Sequence, residues 1–453
     1  MAGKPFNVLD PEIGPIQKIL RLSWPIVVSM ALHNAYSITD MYWVSSLGPN
    51  AIAAVTLAGI LFFVMFSFSQ IFATGIHALI ARACGAGHTH RSGMILRDGL
   101  LAALLVGGLT GFVLWHFPRN ILELLGAKPD VVETGTPYLM VMAAGFAITL
   151  PQFTLSAAYR ATGDMTTAMF LTAISVVFNI VLDPILIFGW GPIPEMGLAG
   201  AAWATVLSMS LALGAGVFFL RWHHSLHGFR FYERLSLAVI KEMIVIGLPA
   251  GAHYILLSLN QTVMIRMVAG FGTPVVAAVG IGTRITHLTF LPCMGVGAAT
   301  ATIVGQYLGA GAPQTAAHHV RRALLINGLV TALICLMIGT IPQFFLRIFT
   351  DEAAVIQPGS TFLRIFAVTF IFVSTTIVLT RVFQGAGDTV WPAVIACFRL
   401  VVFLALGVIL GWVADLDEVG VWLAYAGASA TQMAVIALAY RRGTWKRRQL
   451  KSV

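Results

Sequence analysis

Two acidic residues stand where acids are expensive. Of the eighteen Asp and Glu in the chain, Asp40 and Asp183 alone fall well within long apolar stretches. A charge at the centre of a membrane-spanning helix costs at least ~2.5 kcal/mol and marks function by default. Tyr36 precedes Asp40 by four residues and Asn179 precedes Asp183 by four, so each pair shares a helical face. Pro184 cannot donate to the carbonyl of Ile180, which leaves that oxygen free. Thr205 reaches a similar depth on the next apolar stretch. Carboxyls, an amide, hydroxyls and a freed carbonyl form an oxygen-rich set. Such a set can bind Na+, or hold a proton shared between two buried acids that repel one another. The plainer alternative is that each acid bonds locally to reduce its burial cost. His33 lies two turns before Asp40 and reads as a proton relay or a structural histidine. Arg284 and Arg399 also fall inside apolar stretches. They line a cleft, bind an anionic group, or pair with backbone carbonyls.

The elements that hold these residues are membrane helices. The chain of 453 residues is 58% hydrophobic and 10% charged, with mean hydropathy +0.88. A soluble domain carries roughly 25% charged residues, so the solvent of this surface is lipid. About twenty apolar residues cross a bilayer as helix. Twelve stretches qualify: 20–46, 51–80, 94–116, 136–160, 166–188, 198–221, 242–269, 275–304, 320–341, 358–382, 390–411 and 419–440. Asp40 sits about six residues, or ~9 Å, before the outer end of its span, and Asp183 about five before the end of its own. The two carboxyls are therefore expected at one level. The four cysteines show no metal or redox spacing. No cleavable leader is expected, because the first apolar run is too long for one.

The chain repeats itself. A shift of 224 residues brings Pro25 onto Pro249, Gly48 onto Gly272, Gly85 and Gly87 onto Gly309 and Gly311, and Arg97 onto Arg321. Pro118 meets Pro342, and Gly163-Asp164 meets Gly387-Asp388. Glycine and proline fix backbone shape, so the same helix–loop path runs twice. Six spans per copy is even, so the copies are parallel. The expected fold is all-α and polytopic, twelve transmembrane helices in two six-helix bundles with a cleft between them. An N-terminal lobe, 1–221, is followed by a linker, 222–241, a C-terminal lobe, 242–440, and a basic tail, 441–453. The acid pair is not duplicated: Met264 and Gly407 take the matching positions. Of the 27 Lys and Arg, 20 fall on the side that holds both termini. That places both termini in the cytoplasm of a multi-pass inner-membrane protein. The net charge of +9 is thus a topology signal and not a nucleic-acid footprint.

At this point the residues resemble a known family. The stretch LSWPIVVSMALHNAYSITDMYWVSSLG with AIAAVTLA is similar to the opening of MATE (multidrug and toxic compound extrusion) transporters. So are ARACGAG with its echo VGQYLGAG, YRATGDM with FQGAGDT, and NIVLDPILIFG followed by GLAGAAWATVLS. The resemblance covers essentially the whole chain. It implies twelve helices in two lobes and efflux of drugs or toxins in exchange for H+ or Na+. Within the family the chain looks most like the DinF branch, whose cation site lies in the N-terminal lobe. By motif that site falls on Asp40, Asn179, Asp183 and Thr205, with Tyr36 and Tyr138 at polar positions beside it. Pro25 matches a helix-1 proline associated with bending. The NorM branch uses acids in its seventh, eighth and tenth spans, and here those spans lack them.

The expected activity is therefore cation-coupled antiport of lipophilic, often cationic small molecules. It needs no cofactor and no ATP, since no GxxxxGK[ST] loop is present. A flippase for a lipid-linked precursor is the competing reading, but it favours a strongly cationic cleft and two membrane acids oppose it. An intramembrane enzyme lacks its nucleophile or metal set: there is no HExxH and no GxSxG.

Overall fold

The computed structural model describes residues 6–223, 226, 235–448 and 450. Linker positions 224, 225 and 227–234, and tail positions 449 and 451–453, lie outside the described residues. Among the described residues the chain is helical, without strands beyond an isolated bridge of Trp190 with Ile193.

The first half runs α1 (Pro15–Ser45), α2 (Pro49–Gly85), α3 (Thr89–His116), α4 (Pro118–Leu124), α5 (Pro129–Thr162), α6 (Met165–Phe188) and α7 (Leu198–Phe219). The second runs α8 (Leu237–Val268), α9 (Thr273–Gly309), α10 (Pro313–Thr340), α11 (Pro342–Arg347), α12 (Ala353–Ala386), α13 (Val390–Val408) and α14 (Asp417–Arg442). A short α15 (Thr444–Arg447) follows. Among the described residues eleven helices are long and apolar enough to cross a membrane. The twelfth, α1, has 31 residues, but Lys18, Arg21, His33, Asn34 and Asp40 dilute its apolarity. Several helices outrun the bilayer. α2 and α9 have 37 residues each, against the roughly 20 that a span requires.

Sequence punctuation sets the ends. Proline opens α2, α4, α5, α10 and α11, where its missing N–H is no loss. Gly163 and Gly387 close α5 and α12 with φ of 92° and 77°, the left-handed cap that glycine adopts without strain. Gly48 and Gly272, before α2 and α9, have φ of 95° and 106°. The 224-residue repeat thus holds at the level of single dihedral angles.

The helices pack as two compact units. One is chiefly Val28–Gly251, and the other joins Leu9–Val27 to Ala252–Gln449. The division cuts α1 just after Pro25 and α8 just after Pro249. In the first unit α5 packs on α2, α3 and α7, and α6 on α7. The early half of α8 closes on α2, where a Cβ on Gly247 would stand 1.9 Å from the Ile71 carbonyl oxygen. In the second unit α12 packs on α9, α10 and α14, and α13 on α14. There a Cβ on Gly295 of α9 would stand 3.0 Å from the Ser23 carbonyl oxygen of α1. Ser23 with Gly295 corresponds to Gly247 with Ile71 under the repeat. Absent side chains let these backbones approach. Leu105 and Leu109 on α3, and their counterparts Leu329 and Leu333 on α10, are 65% to 70% exposed, as leucines facing lipid should be.

Candidate functional site

The polar set of the first unit is assembled by α1, α6 and α7. Tyr36 and Asp40 lie one turn apart on α1, Asn179 and Asp183 one turn apart on α6, and Thr205 on α7. The Tyr36 and Thr205 hydroxyls are 3.2 Å apart. Asn179 Nδ2 donates to Asp183 Oδ1 at 3.3 Å and to Thr205 Oγ1 at 3.4 Å. Thr205 in turn donates to the Ala201 carbonyl at 3.1 Å. Asp183 is fully buried, Asn179 is 1% exposed and Thr205 6%. Asp40 is half-buried, one turn beyond Tyr36 on α1.

Two buried oxygens of this set, Asn179 Oδ1 and Asp183 Oδ2, have no hydrogen-bond donor. Buried polar groups are normally satisfied, so these two are available to something else. Oxygen donors suit a hard cation, and a carboxylate oxygen without a donor also suits a proton. The remaining acceptors of the set are Asp40, Thr205 and Tyr36. Pro184 stands inside α6 directly after Asp183.

The other sequence candidates separate by place. Tyr138 of α5 is 6% exposed beside this set, its ring 5.9 Å from that of Phe62. His33 is exposed on α1, its ring 5.6 Å from that of Tyr36. Pro25 lies inside α1 where the two units divide. Arg284 is exposed on α9, whereas Arg399 on α13 is buried. Among the described residues no group of three or more His, Cys, Asp or Glu could hold a metal ion.

Sequence reasoning missed a third buried acid. Asp98 on α3 is fully buried and accepts from Arg97 Nε at 2.8 Å and Nη2 at 2.6 Å. Its other oxygen accepts the Ser236 backbone N–H at 3.2 Å. The adjacent Arg97 and Asp98 in the sequence were the available signal. The repeated Gly-Asp pairs also differ. Asp164 caps α6 by accepting from Thr167 N at 2.9 Å and Thr167 Oγ1 at 2.6 Å. Its Oδ2 stands 3.4 Å from His223 Nε2. Asp388 does not cap α13: Thr389 occupies that position, with no side-chain cap.

These features define a polytopic α-helical membrane protein with a duplicated scaffold and one polar set buried in its first unit. A model of the MatE family matches residues 25–185 and again 249–409, the same 224-residue displacement. The chain belongs to the MATE family of multidrug efflux transporters, whose members are transporters and not enzymes. It is 26% identical over 432 residues to a Bacillus subtilis protein named probable multidrug resistance protein YoeA, covering 94% of this chain and 93% of that one. It is 25% identical over 435 residues to a Brucella suis protein named probable multidrug resistance protein NorM, covering 93% and 92%. A crystal structure of MATE in complex with MaL6 matches with TM-score 0.87 and 25% identity, over 96% of this chain and 98% of that one.

Proposed function

We propose that this chain is a cation-coupled antiporter of the DinF-like branch, exporting lipophilic, often cationic drugs and toxins by alternating access. The observation that carries this reading is the pair of buried, unpartnered oxygens, Asn179 Oδ1 and Asp183 Oδ2, in a set shared by three helices. H+ or Na+ enters this set and offsets one of the two negative charges that Asp183 and Asp40 share. Because Tyr36 and Asp40 belong to α1, and Tyr36 meets Thr205 of α7, the ion's arrival changes what α1 bonds to. A bend of α1 at Pro25 then reshapes the first lobe and releases substrate outward. The lobes are 1–221 and 242–440, joined by the linker 222–241. The Lys and Arg bias supports cytoplasmic termini, with the spans in the inner membrane. Membership of an efflux family leaves the flippase reading without support.

The test is ethidium efflux from vesicles holding the purified protein, with a pH gradient and a Na+ gradient imposed separately. One gradient should drive efflux and so name the ion. Asp40→Asn should reach the membrane and abolish efflux. A mutant that transports normally sinks the reading.

A further inference from the structure

The second unit holds a partly open cavity of about 280 Å³ among α8, α9, α12, α13 and α14. No Asp or Glu lines it, but two arginines do. Arg381 is engaged, donating to Gln384 Oε1 at 2.9 Å and to the Tyr254 hydroxyl at 3.0 Å. Arg399 is not. It is 4% exposed, and its Nε and Nη2 are buried without a hydrogen-bond partner. Its guanidinium carbon lies 4.6 Å from the centre of the Tyr425 ring. An aromatic face offsets part of the cost of a buried cation, yet leaves both N–H groups without an acceptor. A buried charge ordinarily has a counter-charge.

The repeat shows what this cavity replaces. Asn260 of the cavity takes the position of Tyr36. A Cβ on Gly200 would stand 2.3 Å from the Leu186 carbonyl oxygen, and one on Gly420 the same distance from that of Leu410. That shared packing puts Tyr425 at the position of Thr205. Met264 and Gly407 replace the two acids. The first unit gathers carboxyls on α1 and α6, and the second gathers a guanidinium on α13, at the position of Ser175.

We infer that this cavity binds a small amphipathic organic anion, its carboxylate in the fork of Arg399. A planar carboxylate accepts two parallel N–H bonds from a guanidinium. The two silent donors of Arg399, Nε and Nη2, have that fork geometry. Phe290, Met294, Leu257 and Ile377 supply apolar wall for the rest of the molecule, and the volume suits a single ring. This goes beyond the export reading, adding an anionic class to the lipophilic, often cationic substrates proposed there. It does not depend on the coupling ion, and binding without any gradient tests it apart from the Asp40 and Asp183 reading.

The experiment is calorimetric titration of the purified full chain in detergent with benzoate, benzylammonium and inorganic phosphate. Benzoate should bind saturably, and the other two should not compete with it. Arg399→Gln should weaken benzoate by at least ~10-fold, and Arg399→Lys, which keeps the charge but not the fork, by less. In thermal unfolding, ligand-free Arg399→Gln should melt at or above the wild-type temperature, because it loses an unpaired buried charge. The rise in Tm that benzoate gives the wild type should disappear. Benzoate binding that survives Arg399→Gln overturns the inference, as does benzylammonium or phosphate displacing benzoate. If Arg399→Gln does not fold, 4-azidobenzoate decides on the wild type. Labels on α8, α9 and α12–α14 support the site, and labels elsewhere refute it.

Discussion

Replacing Asp183 by Asn separates a structural acid from an ion-binding one, because the two roles give opposite signs. The side chain is fully buried. Asn keeps its shape and keeps an oxygen to accept from Asn179 Nδ2, now 3.3 Å from Asp183 Oδ1. What it loses is the charge and the donor-free Oδ2. A carboxylate ionised at this depth costs at least ~2.5 kcal/mol, so removing it should stabilise the ion-free protein by about that much. The coupling ion stabilises the wild type by about 2.7 kcal/mol at a hundred times its dissociation constant, and the variant should show no such gain. SDS-driven unfolding in mixed micelles, over a Na+ series and a pH series, reads both terms. Ion-driven ethidium efflux reads function and should be absent. A variant less stable than wild type by 1 kcal/mol or more, or one that still exports, would refute the argument that Asp183 is kept for an ion.

Thr205→Val keeps size but removes the hydroxyl shared by Tyr36, Asn179 and Ala201. Leaving buried polar groups unpaired costs about 1–3 kcal/mol, so the ion concentration for half-maximal efflux should rise by about 5- to 150-fold, while Thr205→Ser stays near wild type. Asp164 lies outside the spans. Burial pushes its carboxyl up, but hydrogen bonds from His223 and Thr167 outweigh that and hold it below the usual carboxylate range. Its stabilisation is therefore present at neutral pH and lost as pH falls below roughly 4. Asp164→Ala should cost ~1 kcal/mol in unfolding assays at pH 7, and that difference should shrink on acidification. Gly247→Ala puts a Cβ 1.9 Å from the Ile71 carbonyl oxygen and should cost ~1–3 kcal/mol. Gly280→Ala, with nothing within 4 Å, should instead gain up to ~1 kcal/mol; micelle unfolding of both checks this. Arg97→Ala leaves Asp98 buried without its cation and should cost ~3–5 kcal/mol in the same assay.

The spans were legible because lipid leaves a compositional mark. The helix ends were less so: the apolar run 136–160 belongs to a helix of 129–162. Apolarity records where lipid lies, whereas proline at the start and glycine at φ 92° record where the helix stops. The short α4 and α11 left no apolar signal of their own. The oxygen set was legible because i to i+4 spacing joins Tyr36 to Asp40 and Asn179 to Asp183. Its closure by Thr205, and the stacking of Arg399 on Tyr425, are contacts between helices that spacing within one helix cannot report. Asp388 looked like Asp164 because both follow glycine. In the second half the helix starts one residue later, at Val390, so the cap position falls to Thr389.

The duplicated halves keep what the backbone demands and vary what chemistry demands. Gly48 and Gly272 share a positive φ, Gly163 and Gly387 share another, and Gly200 and Gly420 each meet a carbonyl oxygen at the same distance. A side chain at any of these positions would push helices apart or strain a turn, so neither copy can abandon them without losing the packing. Tyr36, Asp40, Asp183 and Thr205 occupy positions held in the other copy by Asn260, Met264, Gly407 and Tyr425. Asn260 and Tyr425 line the cavity of the second unit, whereas Met264 belongs to its apolar core. The first unit carries an acid and an amide with unpartnered oxygens, and the second the guanidinium of Arg399 with unpartnered nitrogens. A carboxylate takes a cation and a guanidinium takes an anion, so the two proposed sites would fit the copies of one scaffold to opposite charges.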